Sequence, residues 1–230
     1  MAVRQLASLP GEVASLFGGA MRLIDEIREQ GILDPFWTFG GGTVLMLRYG
    51  HRKSRDVDIF VPDAQYLGYV NPRKSSVAES VTDNYIETAG GVKLVLADGE
   101  IDFVAAPNLT EHPFELWEIA GAPVRVETAA EIIAKKMWHR GNNATARDLF
   151  DLAAVAEMAP EQIGIAAPFF QRHAAAFLEQ IDRRRNVLEE QFNAINIIGF
   201  HRSYLECVVI ASGILQDHAT PQAKSSPARL

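Results

Sequence analysis

The chain reads as an α+β fold, a mixed sheet with flanking helices followed by a helical C-terminal half, on three observations. Strand-type alternation is confined to residues 36–127. Within that span an Asp98-Gly99 pair separates two apolar runs, the strongest short-range hairpin signal in the chain. From Thr128 onward, apolar residues recur at helical spacing almost without interruption. With 230 residues, 48% of them hydrophobic, the chain can bury one large core or two small ones.

The elements follow in order. Between residues 11 and 31, Val13, Leu16, Phe17, Met21, Ile24 and Ile27 stand three and four apart, which predicts an amphipathic helix stopped by Gly31. A short strand over 36–39, a short helix over 43–49 and a strand over 57–61 come next, the last ended by Pro62 and Asp63. Residues 65–88 show no clear period. VKLVLADGEIDFVAAP, residues 92–107, is the hairpin, and VRVE at 124–127 is a further strand. Thr128 and Glu131 have the spacing of a capping box for a helix running to Arg140, which Gly141-Asn142-Asn143 breaks. A second helix spans 145–158. Residues 168–217 read as one long helix to about 198 and another after Gly199. The tail, 218–230, is rich in Pro, Ser, Ala and Gln and reads as disordered. The expected domains are thus 1–126 (α+β), 127–217 (helical) and the tail, 218–230.

Composition narrows the function classes. A net charge of −7 argues against a protein that coats nucleic acid, while leaving room for a local grip by Arg48, His51, Arg52, Lys53 and Arg55. The single cysteine, Cys207, excludes an internal disulfide and a cysteine-based zinc site and fits a reducing compartment. No signal peptide precedes the first helix, and no run of about 18 apolar residues could span a bilayer. A cytoplasmic protein with no membrane partner is expected.

The segment 39–60, FGGGTVLMLRYGHRKSRDVDIF, carries the chemistry. Gly40, Gly41 and Gly42 lead into a helix whose first amides can meet phosphate. Asp56 and Asp58 alternate with Val57, Ile59 and Phe60, so a strand points both carboxylates one way, a ligand set suited to Mg²⁺ with substrate phosphate. The segment therefore reads as a metal and nucleoside-triphosphate site. It is not a Walker A loop, since no Gly-Lys-Ser/Thr follows. Thr43 either contacts the β- or γ-phosphate or caps the helix. Asp102, on the second hairpin strand, is the candidate third carboxylate, with Glu100 on the same face as its nearest substitute. Trp37, Trp117 and Trp138 read as core, and Arg183, Arg184 and Arg185 as a solvated helix face. The histidines show no metal-binding spacing.

Gly41-Gly42, thirteen intervening residues and Asp56-Val57-Asp58 resemble the signature of the DNA polymerase β-like nucleotidyltransferase superfamily. The longer string GGGTVLMLRYGHRKSRDVDIF, with EIIAKKMWHRGNNATARDLFDL downstream, resembles the AbiEii/MenT-type nucleotidyltransferase toxins of toxin–antitoxin and abortive-infection systems. The resemblance spans roughly residues 36–155. It implies a polymerase β-like fold, an NTP substrate, Mg²⁺ or Mn²⁺ bound by Asp56, Asp58 and Asp102, and transfer of NMP to an acceptor with tRNA first, blocking translation. A cognate antitoxin is a further implied partner. Gly41, Gly42, Thr43, Arg52, Ser54 and Lys136 are the implied nucleotide-binding residues, with Arg52 and Ser54 serving the triphosphate or local structure, while Lys53 and Arg55 face solvent. Asp56, Asp58, Asp102, Lys136 and Asp148 are the implied catalytic set. For Asp148 and Asp151 a plain role in salt bridges to Lys136 or Arg140 is equally open. The competing readings are transfer to a protein or small molecule, and a non-catalytic NTP- or partner-binding module.

Overall fold

The computed structural model describes residues 4–6 and 8–219. It divides into two compact units, one running to Ile132 and taking back Asn196–Phe200, the other comprising Ile133–Ile195 and the chain from His201 on.

In the first unit, β1 (Arg4–Leu6) precedes α1 (Gly11–Glu29), whose buried residues include Val13, Leu16, Phe17, Leu23, Ile24 and Ile27. The expected stop at Gly31 is present as a Schellman turn. Gly31 has φ +101°, its N–H donates to the Arg28 carbonyl, and the Ile32 N–H donates to that of Ile27. Then come β2 (Thr38–Gly40), α2 (Gly41–Tyr49) and β3 (Val57–Val61). The helix starts on the glycines themselves, two residues before its expected position, and ends at Gly50 with φ +61°. The unassigned span 65–88 holds a 3₁₀ turn (Ala64–Gly68), α3 (Ser76–Val81), capped by the Ser75 hydroxyl, and β4 (Tyr85–Thr88). β5 (Gly91–Leu96) and β6 (Gly99–Ala105) form the expected hairpin, but Leu96 pairs with Gly99, so the two turn residues are Ala97 and Asp98 and Gly99 opens the second strand instead of completing the turn. A second hairpin, β7 (Phe114–Ile119) with β8 (Ala122–Glu127), extends the VRVE strand. Its turn residues Ala120 and Gly121 both have positive φ, 51° and 81°, as a type I′ turn requires.

These strands make one mixed sheet in the order β1-β7-β8-β2-β3-β6-β5-β4. Period-two patterning sends Val57, Ile59, Val61, Ile101 and Phe103 to one face, where α1 packs against β3 and β6. Burying these side chains stabilises the unit by about 1.5–3 kcal/mol each. Asp58, Phe60, Glu100 and Asp102 take the opposite face, so the apolar alternation that builds the core also determines where the carboxylates emerge.

The chain crosses between the units within α4 (Ala129–Arg140). Thr128 does accept from the Glu131 N–H, but the second half of the expected capping box is replaced. The Thr128 N–H donates to the Pro113 carbonyl, and the Glu131 carboxylate accepts from Leu109 and Thr110. In the second unit follow α5 (Ala146–Met158), α6 (Pro160–Ala166), α7 (Ala174–Arg183), α8 (Arg185–Asn193) and α9 (Tyr204–Ala219). The single helix expected to about 198 is therefore interrupted at Arg184 and ended at Asn193. The ending has a physical cause, because residues 196–199 pair with the first unit. Lys53 N–H donates to the Asn196 carbonyl, and the Ile198 N–H to that of His51. Phe150, Phe192 and Tyr204 stack edge to face in the core of the second unit, and the Tyr204 hydroxyl donates to the Ile181 carbonyl at 2.8 Å. Trp37 and Trp117 are core, whereas Trp138 is only half-buried, with Arg172 over its ring. Arg183 pairs with Glu179 and Arg185 with Glu189 along their helices, consistent with a solvated face. His218 and Ala219 complete α9 and so do not belong to a disordered tail; residues 220–230 lie outside the described residues.

Candidate active site

The three glycines between β2 and α2 each lack a side chain for a different reason. A Cβ on Gly40 would lie 2.2 Å from Glu127 Oε2, one on Gly41 1.8 Å from Asp58 Oδ2, and one on Gly42 2.5 Å from Arg52 Nη2. Gly41 also has φ +72°, a conformation that L-residues adopt at a cost of about 1–2 kcal/mol. The turn is thus shaped first by the approach of the protein's own carboxylates and guanidinium. It brings the N-terminus of α2, with its positive end of the helix dipole, against Asp58.

Sheet register assembles the carboxylates. In the parallel pairing of β3 and β6, Asp58 stands directly beside Asp102, and Gly40 stands on the other side of Asp58. Residues paired in register share a face, so Asp58 and Asp102 point together. Burial raises the Asp102 pKa, Lys93 opposes that rise, and the charges of Glu100 and Asp56 add to it. Asp56 is therefore near enough to be felt. Lys93, opposite Asp102 across β5 and β6, lies 3.1 Å from Asp102 Oδ2 and also bonds Glu100.

All-oxygen carboxylate donors on one face suit a hard divalent cation. Among the described residues, however, no three His, Cys, Asp or Glu side chains gather closely enough to hold a metal ion as they stand. Asp102 is paired with Lys93.

The basic run divides by role. Arg48 donates to the Glu127 carbonyl and to the Glu115 carboxylate and lies over the Trp117 ring, which makes it a brace between α2 and β8. Arg52 is buried against Gly42, and its Nη1 donates to the Lys53 carbonyl. Lys53 and Arg55 are exposed. Thr43 is fully buried; its hydroxyl donates to the Asp56 carbonyl at 2.5 Å and lies 3.0 Å from Ser54 Oγ. Of the two roles expected for Thr43, the helix cap is not formed. The hydroxyl instead fixes the backbone that leads into the Asp56 strand. Ser54, half-exposed beside it and within 3.3 Å of where a Gly42 Cβ would stand, is the better placed hydroxyl for a ligand.

Lys136 and Asp148 belong to the second unit. Lys136 Nζ lies 2.7 Å from Asp148 Oδ1 and 3.0 Å from Asp151 Oδ2, both acids being buried. Arg140 clamps both Asp148 oxygens from Nη2, at 2.7 and 2.8 Å. Thr145 and Asp148 form a reciprocal capping box at the start of α5. Burial pushes the Asp148 carboxyl up, but Lys136 and Arg140 outweigh it and hold the group far below the usual carboxylate range. Asp148 is therefore a helix cap and an ion-pair hub for Lys136 and Arg140.

Sequence reasoning missed two residues. Lys93 sits on a strand whose alternation marks it as facing the acids, and Glu127, fully buried with its Oε1 accepting from Thr38 at 2.8 Å, ends the VRVE strand. Both signals depended on knowing the strand neighbours.

Among proteins of known kind, the family profile described as "Nucleotidyl transferase AbiEii toxin, Type IV TA system" matches residues 22–205. None of the curated proteins matches the chain significantly. The solved structures similar to it include MenT4, a nucleotidyltransferase toxin of Mycobacterium tuberculosis, at 18% identity and TM-score 0.49, covering 90% of this chain and 86% of that one. JHP933 of Helicobacter pylori is similar at 19% identity and TM-score 0.45, covering 92% and 95%. Among the described residues, no helix is long and apolar enough to cross a membrane.

Proposed function

The chain belongs to the AbiEii family of nucleotidyltransferase toxins of type IV toxin–antitoxin systems, and from that premise we propose that it transfers NMP from an NTP to a hydroxyl of tRNA, releasing pyrophosphate. The observation that carries the reading is the row Gly40, Asp58, Asp102 across three adjacent strands, with Gly41 closed onto Asp58.

A divalent cation, Mg²⁺ or Mn²⁺, held by Asp56 and Asp58 with Asp102 beside them, would neutralise phosphate charge and orient the nucleophile. The first amides of α2, at Gly41 and Gly42, receive the triphosphate, and Ser54 and Arg52 flank it. Thr43 holds the Asp56 backbone in place. Asp102 takes the acceptor side, where it accepts the hydroxyl proton; its register with Asp58 supports this assignment. Lys136 is assigned a nucleotide contact on the family resemblance, with Asp148 and Asp151 positioning it. Family membership also implies a cognate antitoxin, and the cytoplasm is where NTP and tRNA meet.

The test is transfer of label from each radiolabelled NTP, offered singly with Mg²⁺, to total tRNA. Label should enter RNA with wild-type protein and not with Asp58→Ala. Labelling that survives Asp58→Ala excludes this site, and label found only on protein or a small molecule overturns tRNA as acceptor.

A further inference from the structure

The two acids between which the sequence could not choose, Asp102 and Glu100, are bound by the same lysine. Lys93 pairs with Asp102 across the antiparallel β5 and β6, its Nζ bridging Asp102 Oδ2 and Glu100 Oε2. The side chains of Lys93 and Asp102 are 32% and 22% exposed, so the pair is shielded enough to resist solvent screening and open enough to exchange partners. Lysine supplies a compact point charge with three donors, the organic group closest to a bound cation. Next in the same row stands Asp58.

We propose that the Lys93 ammonium is a built-in occupant of the third-carboxylate position, paired with Asp102 so that the resting site takes one divalent cation instead of two. The proposal rests on the metal-dependent reading above. A second divalent ion must displace Lys93, and a neutral side chain at that position removes the competitor.

Titration of the full chain with Mn²⁺, following the free ion by electron paramagnetic resonance, tests this directly. Wild type should bind one ion per chain. Lys93→Met should gain a second ion or bind about tenfold more tightly, the equivalent of about 1.4 kcal/mol. Lys93→Arg should behave as wild type, and the gain should vanish in Lys93→Met/Asp102→Asn. Lys93→Gln supplies a second neutral replacement if Lys93→Met does not fold. Equal binding by wild type and the neutral variants, no binding by either, or a gain that persists without Asp102 overturns the proposal. Transfer that survives Asp58→Ala would instead sink the metal-dependent reading, whatever Lys93 does.

Discussion

Gly41→Ala should uncouple the glycine turn from the Asp58 carboxylate. The added methyl would lie 1.8 Å from Asp58 Oδ2, 2.5 Å from Cγ and 2.9 Å from Cβ, so Asp58 must swing away or the turn must shift. Alanine at φ +72° costs about 1–2 kcal/mol, and an off-rotamer Asp58 about 0.5–1.5 kcal/mol more, for a total of about 1.5–3.5 kcal/mol. Gly50→Ala is the matched control. It has φ +61° with nothing within 4 Å of the new Cβ, and so carries only the backbone cost. Urea unfolding of both variants gives the difference assignable to Asp58. In the labelled-NTP assay Gly41→Ala should lose about a hundredfold, the scale of a misplaced reactive group, while Gly50→Ala stays near wild type. The reasoning fails if both variants unfold at the same midpoint and Gly41→Ala still transfers nucleotide.

Lys136→Met leaves Asp148 and Asp151 buried with one cation fewer and should cost about 3 kcal/mol in urea unfolding, most of it recovered in Lys136→Arg; a loss under about 1 kcal/mol would refute the ion-pair hub. If Lys136→Arg is stable yet loses transfer, the lysine also serves the nucleotide. Because the folded Asp148 pKa lies below its ordinary 3.8, its stabilisation is complete well above that pH and fades as pH falls below it toward the folded value. The stability gap between wild type and Asp148→Asn should therefore shrink between about pH 5 and about pH 3, and a constant gap would contradict the assignment. Burial pushes the Cys207 thiol up to about 12, so a thiol reagent should label the native chain only as fast as it unfolds. Rapid labelling at neutral pH would show that α9 packs more loosely than described.

What the sequence determined is what local spacing encodes. The three-and-four spacing of α1, the alternation of VDIFV and the Asp98-Gly99 pair each specify an element from neighbours along the chain; the first two formed as read, and the hairpin formed with its turn one residue earlier, at Ala97-Asp98. The glycine turn and the Asp-x-Asp strand were visible in the same way, as was the hairpin strand bearing Asp102. The structure alone decided which strands lie side by side. β1 and β7 went unseen because Arg4–Leu6 is too short to show a period, and because FELWEI breaks the alternation of apolar and polar residues. The long C-terminal helix was overread because nothing in its periodicity announces that residues 196–199 leave to pair beside His51. Register has the same origin. Hydrogen bonds between β3 and β6 join residues more than forty apart, and their alignment sets Asp102 beside Asp58 and Lys93 beside Asp102. Each segment fixed which way its own side chains alternate. Only long-range pairing fixed which carboxylate meets which cation, and that is where the chemistry of this chain is decided.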